Sequence, residues 1–248
     1  MRVRLQFSAA LLGAAFAALT PSPAARAMSV TSIVSDMTTT GATSRGHLVV
    51  FNDNATLLPV EVAVSKISLD ENGDFASEPA GDELLIFPSR ALVPPGAKQT
   101  FRVRWVGNSQ IKSSQSYILS VNQVPKKMPK WQCGVQMVLN FATLINVDPI
   151  AGKSTLNLLK SGVVNDDKGK PRPMLTVQNP GNIHAKLTDA TITLSGGGWS
   201  KTLTPEELRR SMGFGLVQPG KTRRFLLPID MPPNVNDVTA SIKYKPTK

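Results

Sequence analysis

Short segments in which apolar and polar residues alternate run through the chain, and turn-forming residues separate them. In residues 99–105, Phe101, Val103 and Trp105 lie on one face, because a strand places side chains two residues apart on the same side. About seven such strands with regular turns are typical of a β-sandwich. The pattern therefore predicts one sandwich before residue 148, with further strands at 47–51, 60–64, 84–87, 117–121 and 135–141.

The alternation breaks at Val147, Asp148 and Pro149 and then restarts. A proline-containing segment between two sets of strands is a typical domain boundary, because few contacts cross it. We therefore predict domains at 28–147 and 148–248, with a loop at 168–173. The strands of the second domain are predicted at 174–178, 183–187, 191–194, 222–227 and 238–244.

The best helix signal is at residues 204–210. Thr204 is an N-cap residue, Pro205 suits the first turn, and two glutamates precede two arginines. The signal predicts a helix of at most two turns. The predicted fold class is therefore all-β, with two sandwich domains.

The N-terminus has the features of a secretory signal peptide. Arg2 and Arg4 precede an apolar stretch at 7–19 that is too short to span a membrane, and residues 25–27 (Ala-Arg-Ala) match a cleavage site. We expect residues 1–27 to be removed and the mature chain to be exported. No later run approaches the roughly 18 apolar residues of a membrane span.

Charge and cysteine content limit the classes of partner. The formal charge of +11 falls to +8 once Arg2, Arg4 and Arg26 leave with the signal peptide. The basic residues are scattered rather than clustered, which argues against nucleic-acid binding. Cys133 is the only cysteine, so no intramolecular disulfide can form. We expect a protein partner, no nucleic acid and no membrane insertion.

The inventory of reactive side chains does not favour an enzyme. His47 and His184 are the only histidines, and neither has a spacing typical of a metal site or a catalytic base. Gly152-Lys153-Ser154 imitates the end of a phosphate-binding loop, but Val147 stands where that loop needs glycine. We predict no catalysis, no cofactor and no metal; an exported hydrolase built on Cys133 or a histidine is one alternative.

An ordered series of motifs resembles the periplasmic chaperones of the chaperone/usher pathway of pilus assembly. The resemblance covers essentially the whole mature chain and rests on the order of the motifs rather than on any one of them. The motifs are residues 51–54 (Phe-Asn-Asp-Asn), 87–88 (Phe-Pro), 93–96 (Val-Pro-Pro-Gly, before an arginine-containing strand), 116–125, 175–181 (Leu-Thr-Val-Gln-Asn-Pro-Gly) and 215–220.

The resemblance implies two immunoglobulin-like β-sandwich domains in an L or boomerang arrangement and a location in the periplasm. In this family the pilus subunit lacks the last strand of its own sandwich, and the chaperone lends it a G strand before an outer-membrane usher receives it. A further possible partner is a second copy of the chain, in a dimer whose G strands cap each other. The matching strand here is 135–141, whose subunit-facing side chains are Val135, Met137, Leu139 and Phe141.

Two positions depart from the family pattern. Better-known members bind the C-terminal carboxylate of the subunit with an arginine in the first strand and a lysine after the apolar part of the G strand. The matching positions here fall near Asp36 and Leu144, so the chain resembles the divergent, archaic branch. The candidates for binding the carboxylate are Arg102, Arg104, Lys112 and Lys153.

Two further expectations concern segments next to the G strand. The family has an arginine near position 148 in an interdomain ion-pair cluster, whereas this chain has Asp148, which we expect to pair with Arg90 of the first domain. Residues 126–130 combine a proline with like charges and are expected to be mobile in the free protein. The main alternative function is an exported adhesion or scaffold protein that has the same sandwiches but donates no strand.

Overall fold

Ten strands of the first half of the chain form two sheets that face each other. The computed structural model describes residues 28–32, 36–125 and 138–246. The strands are β1 (Met28–Ser32), β2 (Asp36–Thr38), β3 (Arg45–Asn52), β4 (Leu58–Leu69), β5 (Phe75–Pro79), β6 (Leu84–Phe87), β7 (Arg90–Val93), β8 (Lys98–Trp105), β9 (Gln115–Gln123) and β10 (Asn140–Asp148). One sheet has the order β1-β3-β8-β6; the other has the order β2-β10-β9-β4-β5, with β7 also paired to β4.

The predicted apolar faces of these strands meet between the two sheets. Phe101, Val103 and Trp105 of β8 are at most 4% exposed, as the alternation predicts. From the opposite sheet, Tyr117 and Ile145 are 0% exposed. The rings of Trp105 and Tyr117 meet edge to face with centroids 6.1 Å apart. This arrangement adds to the hydrophobic gain from burying two aromatic rings.

The second half of the chain forms further sheets around a separate core that includes Leu175, Val177, Ile192 and Leu194. The sheet orders are β11-β12-β17, β13-β16 and β15-β14-β18. Together with the first half, this confirms the predicted all-β fold class of two immunoglobulin-like domains. The elements are β11 (Asn157–Asn165), β12 (Pro171–Gln178), β13 (Ala185–Lys186), β14 (Ala190–Gly196), β15 (Trp199–Leu203), α1 (Pro205–Met212), β16 (Leu216–Val217), β17 (Thr222–Leu226) and β18 (Thr239–Tyr244).

Helix α1 lies where the sequence predicts a helix, and it has eight residues. The Thr204 side chain accepts a hydrogen bond from the backbone N–H of Glu207, whose carboxylate accepts one from the backbone N–H of Thr204. This capping box satisfies two donors that would otherwise lack partners at the helix start. No helix within the described ranges is long and apolar enough to cross a membrane.

Each domain has a buried polar corner of the same kind, built around one asparagine. Asn52 at the end of β3 and Asn179 directly after β12 are both 0% exposed. The Asn52 amide donates to two backbone carbonyls at 2.8 and 2.9 Å, and the Asn179 amide donates to two at 2.8 and 3.1 Å. The backbone carbonyl of each asparagine also accepts from a turn glycine, Gly96 or Gly220, at 2.8 Å. These glycines have φ of 68° and 69°, a conformation that side chains disfavour.

One predicted loop is the beginning of a strand. β12 starts at Pro171, inside the loop predicted at 168–173, and pairs with β11, which the sequence did not indicate. Asp166 Oδ1 accepts hydrogen bonds from the backbone N–H groups of Lys168 and Lys170 at 2.9 Å each. The carboxylate thus closes a tight turn between two paired strands. The predicted loop is correct for residues 168–170 and wrong for residues 171–173, which belong to β12.

The β4–β5 hairpin contacts the second domain. Gln218 Oε1 accepts from the backbone N–H of Leu69 at 2.7 Å, and Gln218 Nε2 donates to the carbonyl of Ile67 at 2.9 Å. The carboxylate of Glu71 lies 2.9 Å from the guanidinium of Arg224. These contacts join the domains on one side.

Candidate functional site: an open strand edge and an interdomain cleft

Strand β10 has an uncovered edge along most of its length. On one side it pairs with β9 from Asn140 to Val147, whereas on the other side β2 pairs in parallel with residues 146–148 only. In the part of the chain that the structure describes, residues 140–145 therefore have no strand partner on this side. Backbone N–H and C=O groups on such an edge can pair with a strand of another chain.

The hydrogen bonds show which residues direct their backbone groups to this edge. The carbonyl of Leu139 accepts from the N–H of Gln123 at 3.0 Å, so odd-numbered residues bond towards β9. The carbonyl of Asp148 accepts from the N–H of Thr39 at 3.2 Å, so even-numbered residues bond away from β9. The free backbone groups therefore belong to residues 140, 142 and 144.

The odd-numbered side chains of this segment lie on the core side of the sheet. Ile145 and Val147 are 0% exposed, whereas Phe141 and Leu139 are only partly buried against the same core. The apolar face thus becomes less covered towards the start of β10. Of the proposed donor residues, Leu139 directly precedes the strand and Phe141 lies within it, while Val135 and Met137 lie outside the described residues, as do residues 1–27, 126–130 and Cys133.

The opposite end of β10 borders a cleft between the two domains, which encloses a cavity of about 780 Å³. On one side it is lined by Asp36 and Met37 of β2 and by Asp148, the last residue of β10. From the other side it is lined by residues that include Lys153, Ser154, Leu156, His184, Lys186 and Tyr244.

A cluster of four charged groups, which the sequence did not predict, forms one wall of this cavity. His184 Nδ1 lies 2.8 Å from Asp148 Oδ1, and His184 Nε2 lies 3.1 Å from Asp36 Oδ1. Lys186 Nζ lies 2.6 Å from Asp36 Oδ2. Ser114 Oγ donates to Asp148 Oδ1 at 2.5 Å and accepts from the backbone N–H of His184 at 3.0 Å.

The electrostatics of the cluster favour its charged forms. Burial of the His184 ring opposes protonation, but hydrogen bonds and charges from Asp148 and Asp36 outweigh it and raise the pKa of His184 to about 9. Burial likewise opposes ionisation of Asp36, but His184 and Lys186 hold the pKa of that carboxyl well below its usual range. The cluster is therefore an ionised network across the domain junction.

The prediction that Asp148 pairs with Arg90 was wrong. Arg90 pairs with Glu61 at 2.7 Å, and Asp148 pairs with His184 of the second domain. Arg90 lies on β7, which is separated from β10 by β4 and β9. Sequence alone does not reveal this strand order, and an isolated histidine gave no signal of its two carboxylate partners.

The four candidate carboxylate anchors lie in different places. Arg102 and Arg104 are exposed on β8, in the sheet that does not contain β10, opposite His47 and Arg45 of β3. Lys112 is exposed, and its backbone carbonyl accepts from the Asn182 side chain at 3.0 Å. Of the four, only Lys153 lines the cavity.

No protein-family model matches the chain, and no curated protein sequence matches it. Solved structures do match. The class 5 fimbriae chaperone CfaA is 14% identical over 88% of this chain and 100% of its own, with a TM-score of 0.54. The fold is that of the chaperone–usher pilus chaperones.

Two chaperone–subunit complexes give the same result. A chain of the CsuC–CsuE chaperone–tip adhesion subunit pre-assembly complex, from archaic chaperone–usher Csu pili of Acinetobacter baumannii, is 16% identical over 87% of this chain and 97% of its own, with a TM-score of 0.53. A chain of the Salmonella enterica complex of SafA pilin with the SafB chaperone is 13% identical over 90% and 99%, with a TM-score of 0.53. At these identities the likeness concerns the fold, and function is argued from the site.

Proposed function

We propose that this protein is a periplasmic chaperone that binds pilus subunits by donor-strand complementation and delivers them to an outer-membrane usher. The observation that carries the proposal is the open edge of β10 at residues 140–145. It offers backbone hydrogen bonds to a subunit strand, while the partly buried Phe141 and Leu139 continue an apolar face beyond the protein's own core. Val135 and Met137 extend that face in the sequence and complete the proposed donor strand.

Lys153 is the residue that we propose binds the terminal carboxylate of the subunit. A subunit strand paired along residues 140–145 of β10 would end where β2 begins, next to Asp36, and Asp36 lies in the wall of the cavity. Among the described residues, Lys153 takes part in no ion pair, whereas Lys186 is already paired with Asp36. A free ammonium group beside a terminal carboxylate would form a charge-assisted hydrogen bond.

The proposal includes the organisation of the chain: a signal peptide at 1–27 and domains at 28–147 and 148–248. The separate cores of residues 28–147 and 156–238 support this division. The two similar complexes, which join a chaperone to a tip adhesion subunit and to a pilin, support the class of partner.

A proline at position 142 tests the open edge. Ala142 is exposed and directs its N–H away from β9, so Ala142→Pro removes one donor from the edge and preserves the pairing with β9. The test partner is a subunit that is encoded beside the gene and is insoluble when expressed alone. We expect the amount of this subunit that co-purifies with the variant to be at least tenfold lower than with the wild type. Its melting temperature should stay within about 5 °C of the wild type.

Ala142→Val is the matched control, because it retains the N–H group and should bind the subunit normally. Lys153→Ala should weaken binding without altering the melting temperature. Normal binding by Ala142→Pro would contradict strand donation and favour the adhesion or scaffold alternative. Loss of self-association by the same variant would indicate a dimer that caps its own G strands.

A further inference from the structure

The His184 side chain is held between two carboxylates. It is 7% exposed, and its Nδ1 and Nε2 lie 2.8 Å from Asp148 and 3.1 Å from Asp36. A neutral imidazole has one N–H donor and one lone pair, so it can donate to only one carboxylate while its lone pair faces the other. Contacts from both ring nitrogens to two ionised carboxylates therefore fit the doubly protonated imidazolium.

We propose that protonated His184 is a clasp that holds the two domains at a fixed angle across the cleft and opens when the ring loses its proton. His184 belongs to the second domain, Asp36 lies on β2 of the first, and Asp148 ends β10. Contacts that do not involve the His184 ring also join the domains and supply the pivot. They are the β4–β5 hairpin at Gln218 and Arg224 and, beside the cluster, the hydrogen bond from the Ser114 N–H to the Asn182 carbonyl at 2.9 Å.

The surrounding groups leave His184 as the residue that titrates. Lys186 neutralises Asp36, so the protonated cluster has two cations and two carboxylates and no net charge. Loss of the His184 proton leaves one carboxylate uncompensated at a buried site, which is unfavourable. Tyr244 also lines the cavity, and burial raises the pKa of its hydroxyl, which therefore stays neutral. Lys153 and Asp189 complete the charged groups of the cavity wall.

The pKa of His184 agrees with this geometry, since the two carboxylates raise it to about 9. The clasp is therefore closed at neutral pH and opens in alkali. The clasp itself does not depend on the proposed function. An effect of its opening on subunit binding does rest on that function, because His184 shares the cavity with Lys153.

Proton titration by NMR tests the protonation state. The chain has two histidines, so His47→Gln leaves His184 as the sole imidazole signal. We expect this signal to remain that of the imidazolium at pH 8, and Asp148→Asn to lower its titration midpoint by at least one pH unit. Titration of His184 near its ordinary pKa of 6.5 would overturn the proposal.

Small-angle X-ray scattering tests the domain angle without any subunit. We expect the scattering curve of the wild type to change between pH 7 and pH 10. His184→Gln should already have the pH 10 curve at pH 7, and His47→Gln should behave as the wild type. A wild-type curve that does not change, or a His184→Gln curve that matches the wild type at pH 7, would overturn the clasp. If His184→Gln fails to fold, Asp148→Asn provides the same comparison.

Discussion

Asn52 and Asn179 show how single polar side chains shape the same corner in both domains. Each amide bridges two backbone carbonyls at a fully buried position, and each faces a turn whose glycine has positive φ. Buried backbone groups must find partners, and each asparagine amide supplies them here. The motifs at 51–54 and 175–181 therefore have a structural reason for their composition.

Replacing Asn52 by alanine should destabilise the first domain. The change leaves the buried carbonyl of Val93 and the partly buried carbonyl of Thr56 without these donors, and we expect the free energy of unfolding to fall by about 1–3 kcal/mol. Chemical denaturation measures the change. Asp53→Ala, at the exposed next position, is the matched control and should stay within about 0.5 kcal/mol of the wild type. Equal effects of the two substitutions would refute the buried-corner account.

The burial of side chains on one face of strand β10 changes along its length. Its odd-numbered face is fully buried at Ile145 and Val147 and only partly covered at Phe141 and Leu139. A strand pattern alone cannot distinguish these ends, because the alternation is the same throughout. The distinction comes from where β2 stops covering the edge and where the core of the first domain ends.

The effect of a buried charge should therefore depend on its position along this face. Ile145→Asp places a carboxylate in the core, which costs several kcal/mol, and should prevent folding of the first domain. Leu139→Asp should reduce the melting temperature by only a few degrees and abolish subunit binding, since the subunit groove would bury the charge. Thermal unfolding and pull-down on each variant measure the two effects. If Leu139→Asp unfolds the domain as Ile145→Asp does, residue 139 belongs to the protein's own core and not to a donor strand.

The ionised junction between the domains makes the stability of the whole molecule depend on pH. The folded-state pKa of His184, about 9, exceeds the ordinary 6.5, so its contribution is complete below pH 6.5 and is lost as the pH rises through 9. At roughly 1.4 kcal/mol per pKa unit, the loss is about 3 kcal/mol. The lowered pKa of Asp36 has the opposite sign, and its contribution is lost in acid.

We therefore expect stability to be highest between about pH 4 and 6.5 and to decline towards pH 9. Denaturant unfolding at a series of pH values measures this profile. His184→Gln should remove the decline above pH 6.5, whereas His47→Gln should preserve it. A wild-type profile that is flat from pH 6.5 to 9 would contradict the ionised junction.

The sequence by itself determined the features that depend on nearby residues. Alternation predicted most strands and their buried faces, as in β8, and Thr204, Pro205 and Glu207 specified the start of α1. The strands that the alternation did not predict are β1, β2, β5, β7, β11, β15 and β16. In β11, the pairing with β12 shifts register between Leu158 and Lys160, which interrupts the period of two. These outcomes follow from local geometry, which adjacent residues set.

Only the tertiary structure decided which distant residues meet. The first strands change sheets, β1 pairing with β3 and β2 with β10, and this places Asp36 beside Lys186, 150 residues later in the chain. The same change limits the cover of β10 to its last three residues and leaves the rest of its edge open. Strand order and sheet switching depend on the packing of the whole sandwich, so no pattern at Asp36, Asp148 or His184 could reveal the cluster that they form.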